Sequence, residues 1–126
     1  MIVDDMLLLP EIFTTILDGR CVVSKSLDEC MTIYPISIWN EFVQKLLKLP
    51  SSSRNIRKLK RYFFANAEEL TITQNLLYIP ERFRQILGND VLVCGNGNKI
   101  EVYNANAYPD DDLTDDMLDA LSVYEL

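Results

Sequence analysis

The apolar residues of this chain come in short runs broken by turn formers, a rhythm of strands more than of long helices. Met6 to Leu9 is one run and Leu76 to Ile79 another, and each leads into a Pro-Glu step, at Pro10-Glu11 and Pro80-Glu81. Proline suits the first helical position, because the N–H it lacks would have no partner there, so each step predicts a short helical turn. Asp18-Gly19 and Gly88-Asn89 end those turns. Two β-rich hairpins follow, Cys21-Val22-Val23 returning through Met31-Thr32-Ile33-Tyr34, and Val91-Leu92-Val93 returning through Ile100-Glu101-Val102-Tyr103.

The two stretches are an internal repeat, and a repeat decides architecture. Leu9-Pro10-Glu11-Ile12-Phe13-Thr14-Thr15-Ile16-Leu17 aligns with Ile79-Pro80-Glu81-Arg82-Phe83-Arg84-Gln85-Ile86-Leu87. The copies occupy about 2–36 and 70–108, and Phe13 and Phe83, at matching places, are expected in the core. Gly95-Asn96-Gly97-Asn98 reads as a hairpin loop. A glycine-rich phosphate cradle would need a helix after it, and a strand follows.

Between the copies, residues 37–65 carry helical spacing. Ser37 is the candidate N-cap of a helix whose Trp39, Phe42, Val43, Leu46 and Leu47 share one side up to Pro50. Ser51-Ser52-Ser53 restarts a helix to about Ala65, with Ile56, Leu59 and Phe63 on one face and Arg54, Arg57, Lys58 and Arg61 on the opposite one. That basic face is open to three readings: phosphate contact, pairing with a neighbouring subunit, or plain solvation.

Composition narrows the chemistry. With 126 residues, 48% hydrophobic and 25% charged, the chain fits one globular domain over 1–109, followed by an acidic tail. No apolar run is long enough for a bilayer span, and the start lacks the basic head of a signal peptide, so a cytoplasmic protein is expected. There is no histidine, and Cys21, Cys30 and Cys94 form no Cys-x-x-Cys pair. Common zinc sites and histidine-based catalysis are thereby excluded, and no enzyme, cofactor, metal or small-molecule substrate is expected. The net charge of −7 is unevenly spread: −5 over residues 1–43, +7 over 44–61 and −9 over 62–126.

The duplicated unit, the phrase Val22-Val23-Ser24-Lys25-Ser26-Leu27-Asp28 leading to Ile33-Tyr34-Pro35, the Trp39 helix, the basic helix and Asn66-Ala67-Glu68-Glu69 before the second copy together resemble the MraZ family. The resemblance covers residues 2 to about 108. It implies an α+β, mainly β fold: a duplicated swapped-hairpin barrel of the AbrB type with two intervening helices. It also implies a nucleoid-associated transcriptional regulator, assembled as a closed-ring homo-oligomer. Such a regulator binds repeated double-stranded DNA boxes upstream of the division and cell-wall gene cluster.

The family's DNA motif is Asp-x-x-(Gly/Asn)-Arg, a few residues before the proline of each half. Counting back from Pro80, Asn75 fits, but Leu76 holds the arginine place and Ile72 the aspartate place. Counting back from Pro10, Met6 holds the arginine place, and if Asp4 or Asp5 is the motif aspartate the first loop is about three residues short. The candidate DNA-binding residues are therefore Asp4, Asp5, Thr73, Gln74, Asn75, Arg82 and Arg84, with a solvated first turn as the alternative for the two arginines. A protein-interaction ring that has given up DNA is the competing function. In the tail, seven acids and no base lie in 110–126, where Thr114 is a candidate cap for a short helix.

Overall fold

The computed structural model describes residues 1–26 and 29–106. The chain runs β1 (Ile2–Val3), β2 (Met6–Leu8), α1 (Glu11–Leu17), β3 (Arg20–Lys25), β4 (Met31–Pro35), α2 (Ile36–Leu47), α3 (Arg54–Ala65), β5 (Glu68–Thr73), β6 (Leu76–Tyr78), α4 (Glu81–Leu87), β7 (Val91–Asn96) and β8 (Lys99–Asn104). All eight strands join one antiparallel sheet in the order β1-β2-β6-β5-β3-β4-β8-β7. The sheet curls until the Ile2 N–H at one end donates to the Asn89 carbonyl, 2.8 Å away, just ahead of β7 at the other. The result is the expected mainly β, nearly closed barrel.

Neither repeat folds on itself alone. β2 of the first copy pairs with β6 of the second, and β4 pairs with β8, so the hairpins are interleaved. The equivalent residues Leu7 and Leu77 face one another, as do Thr32 and Glu101, which places a pseudo-twofold axis through both pairs. Leu7, Leu9, Leu77, Ile79, Phe83, Leu87, Val23, Ile33 and Val102 fill the barrel interior. Phe13, expected there as well, is only half-buried. Its ring lies against Gly95 of β7, where a Cβ would stand 3.4 Å from the Phe13 Cε1.

Several local expectations shift by a residue or two. Pro10 and Pro80 sit one place before their helices, extended at ψ 140° and 147°, and lend carbonyls to Phe13 and Thr14, and to Phe83 and Arg84. Ser37 is not a cap: β4 carries its pairing to Pro35, which opposes Cys21, and α2 starts directly at Ile36. Gly95 and Asn96 belong to β7, so only Gly97-Asn98 forms the turn. α3 starts after the three serines as expected, and Ser53 is its cap, its hydroxyl accepting from Ile56 N–H. The short β1 and the whole of β5 come in addition to the strands expected. No helix among the described residues is long and apolar enough to cross a membrane. Leu27, Asp28 and the acidic tail lie outside the described residues.

α2 and α3 cover the outer face of the first hairpin through a second, smaller cluster of Val22, Tyr34 and Trp39, with Phe42 packed against it. Phe42 stacks on Tyr34 at 6.0 Å and meets Phe63 edge-on at 5.0 Å, which ties α3 to α2. Aromatic pairs in such tilted and edge-on geometries add to the area they bury.

Candidate nucleic-acid interface

Two turns, one from each copy, meet at one end of the barrel. Asp4-Asp5 joins β1 to β2 and Gln74-Asn75 joins β5 to β6, with φ of 52°, 65°, 55° and 63° in that order. Positive φ at both central residues marks the turn whose twist matches a β-hairpin. Asp and Asn tolerate it through local hydrogen bonding, whereas Gln74 takes it at some cost.

The turns are cross-linked about the pseudo-twofold axis. The Asn75 carbonyl accepts from Leu9 N–H and the Asp5 carbonyl accepts from Ile79 N–H, each at 2.8 Å. Their side chains cross in the same way. The Thr14 hydroxyl donates to Asn75 Oδ1 at 2.8 Å, and the Arg84 guanidinium forms an ion pair with Asp5. Thr14 and Arg84 hold equivalent places on α1 and α4, so each turn is held by the helix that follows the other turn. Thr14 was not a sequence candidate; its alignment with Arg84 in the repeat is the signal that finds it.

Arg82 does not join this group. Two positions on a helix are about 200° apart, and Arg82 faces Glu68 at 2.8 Å and the Asn66 carbonyl at 3.4 Å, over the Phe83 ring. Thr73 pairs with Leu76 at the base of its turn and is exposed. Arg54, Arg57, Lys58 and Arg61 are all exposed on α3, in a separate element.

Burial pushes the Cys21 thiol up to about 12, and burial raises the Cys30 thiol too, so neither is an activated nucleophile. The buried carboxylate of Glu101 is a structural anchor. Burial pushes its pKa up, but hydrogen bonds from Tyr103, Asn96 and Cys30, with the charge of Lys99, outweigh that and hold it below the ordinary value. Among the described residues no three His, Cys, Asp or Glu side chains are placed to hold a metal ion.

Known proteins resemble the chain over most of its length. No family model matches it. A protein of Pediococcus pentosaceus named transcriptional regulator MraZ is 34% identical over 101 residues, 78% of this chain and 71% of the relative. The proteins of that name in Caldicellulosiruptor bescii and Halothermothrix orenii are 33% and 30% identical, over 79% and 81% of this chain and 72% and 73% of their own. The chain belongs to the MraZ family. Its relatives are named as regulators, not as enzymes.

Relative to the motif that the resemblance implies, the two turns have the same length, so the position equivalent to Ile72 in the first copy is Ile2. Ile2 and Ile72 are both buried in the core cluster, serving packing. Met6 and Leu76, at the arginine places, are half-buried strand residues that begin β2 and β6. Arginine's planar fork grips phosphate or guanine through fixed donors, and neither replacement has a donor to offer.

Proposed function

We propose that this protein is a DNA-binding transcriptional regulator of the MraZ type, reading repeated boxes upstream of a division and cell-wall gene cluster as a closed ring. The observation that carries the reading is the paired turn, in a chain belonging to a family of transcriptional regulators. Two matched loops at one end of a barrel, repeated around a ring, present one surface many times over. Weak contacts from each subunit then add through effective concentration. In this reading Gln74, Asn75, Thr73 and Arg84 face the DNA from the paired turns, Asp4 and Asp5 shape the surface, and Arg82 lies at its flank. The regulator works in the cytoplasm, associated with the nucleoid.

Open sheet ends support the ring. β1 and β7 are the terminal strands, and an unpaired edge invites pairing with another chain. Exposed Ile12 and Ile16 on α1 and Leu92 on β7 supply apolar surface for a contact between copies.

The test is fluorescence anisotropy on the duplex upstream of the protein's own gene, beside a shuffled duplex, at two salt concentrations. Tighter binding to the natural sequence supports the regulator. Equal or absent binding, with a ring intact by light scattering, favours the competing reading of a protein-interaction ring, which the missing motif arginines motivate.

A further inference from the structure

Seven of the chain's twelve Lys and Arg fall between residues 44 and 61, a segment without a single Asp or Glu. Of the five cations elsewhere, three meet carboxylates: Arg20 pairs with Glu69, Arg82 with Glu68 and Arg84 with Asp5. Among the described residues no ion pair involves the basic segment. In a chain of net charge −7, acids are plentiful, so their exclusion from one helical hairpin is a feature of that surface.

The cations of α3 divide into two kinds. Arg57 donates to the Ser51 and Ser52 carbonyls at 2.8 and 3.1 Å, and Lys60 donates to the Leu49 carbonyl at 3.0 Å and the Ser51 hydroxyl at 2.9 Å. These two brace the turn between α2 and α3. Arg54, Lys58 and Arg61 recur at i, i+4 and i+7 and are all exposed. At 1.5 Å per residue they form a stripe roughly 10 Å long. Mutually repelling charges held in one row on a capped, packed helix are suited to a ligand that is itself a row of negative charges.

We propose that the stripe Arg54, Lys58 and Arg61 is a second, sequence-independent contact for double-stranded DNA, gripping backbone phosphates apart from the paired turns. Phosphate contacts fix position and affinity, while base contacts select sequence. The division of labour compensates for motif arginines that the turns lack. The inference rests on the DNA-binding reading above, and its test separates the two.

Binding of the full chain is measured by anisotropy on its own upstream duplex and on a shuffled one, for wild type, for Arg54→Gln/Lys58→Gln/Arg61→Gln, and for Gln74→Ala/Asn75→Ala. Glutamine keeps helix propensity at three exposed sites, and circular dichroism confirms the fold. The triple variant should weaken on both duplexes alike, its salt slope shallower by roughly 2.7, at about 0.9 for each of three phosphates. Between about 50 and 200 mM salt the wild type should therefore lose roughly fortyfold more affinity than the triple variant. The turn variant should instead lose preference between duplexes with little change in slope. An unchanged slope in the triple variant overturns the proposal, and a changed mass in light scattering at that unchanged slope assigns the stripe to contact between copies. Wild type that binds both duplexes equally, with the slope still lost in the triple variant, overturns the regulator and leaves the stripe standing.

Discussion

Asp5 holds Arg84 in the way a phosphate would, and under the proposed function this contact limits what the first turn offers to DNA. Both side chains remain partly exposed, so the ion pair is worth at most about 1 kcal/mol to the fold and little is lost by removing it. Asp5→Asn removes one carboxylate from the face and releases the guanidinium. Anisotropy titrations should show tighter DNA binding and a salt slope steeper by about 0.9. An unchanged slope would mean that Arg84 does not reach the backbone. Glu101 gives a prediction of the opposite kind, concerning stability. Its pKa is lower folded than unfolded, so its contribution is present above the unfolded value and is lost as pH falls below the ordinary 4.5 and through the lowered folded value. Glu101→Gln gives up charge-assisted bonds to Tyr103 and Asn96 and should cost about 1–3 kcal/mol at neutral pH. Urea melts of the variant should also lose the part of the acid destabilisation that wild type shows below pH 4.5.

Trp39 and Phe42 decide whether the helical hairpin stays on the barrel. Their cluster is separate from the barrel core, sharing with it the strands β3 and β4 and reaching Ala67 just ahead of β5. Phe42→Ala removes ring contacts to Tyr34, Trp39 and Phe63 and should cost about 2–3 kcal/mol, less than a fully buried phenylalanine. Hydrogen exchange should show α2 and α3 amides opening sooner while the protection of β3, β4 and β8 persists. Uniform loss across all elements would show instead that helices and barrel unfold as one unit. The same elements show how far pattern reading reaches. The repeat, the Pro-Glu turns, both hairpins and the restart of a helix after the three serines were legible, because proline, glycine and serine act locally and the duplicated copies corroborate each other. β5 was not, since Glu68-Glu69-Leu70-Thr71-Ile72-Thr73 is mostly polar and becomes a strand by pairing with β3 and β6. The cap at Pro35 was missed because pairing with Cys21 extends β4 beyond what local propensity suggests. The crossing of Asp5 to Arg84 and Asn75 to Thr14 was hidden for a similar reason: it exists only once the two copies interleave.

At the scale of the whole molecule the pseudo-symmetry is incomplete, and its break marks the expected contact between copies. β3 is flanked by β5 on one side and β4 on the other, whereas among the described residues its counterpart β7 pairs with β8 alone. Among the described residues the bond from Ile2 to Asn89 stands where a full ladder would close the barrel. The outer edge of β7 is therefore a sheet end, with Leu92 on it at 40% exposure. Such an edge is a template for another chain unless a charge blocks it, and β7 holds no Lys or Arg to do so. If copies meet along this edge, a lysine there should separate them without harming the fold, because the position is partly exposed and belongs to neither core cluster. For Leu92→Lys, light scattering at micromolar concentration should give a lower mass, with far-ultraviolet circular dichroism unchanged. Affinity for the upstream duplex should fall with the mass, since binding that depends on many weak contacts is lost when they are no longer linked. A variant that keeps its mass would move the contact to the exposed Ile12 and Ile16 of α1, where Ile16→Lys provides the matching test.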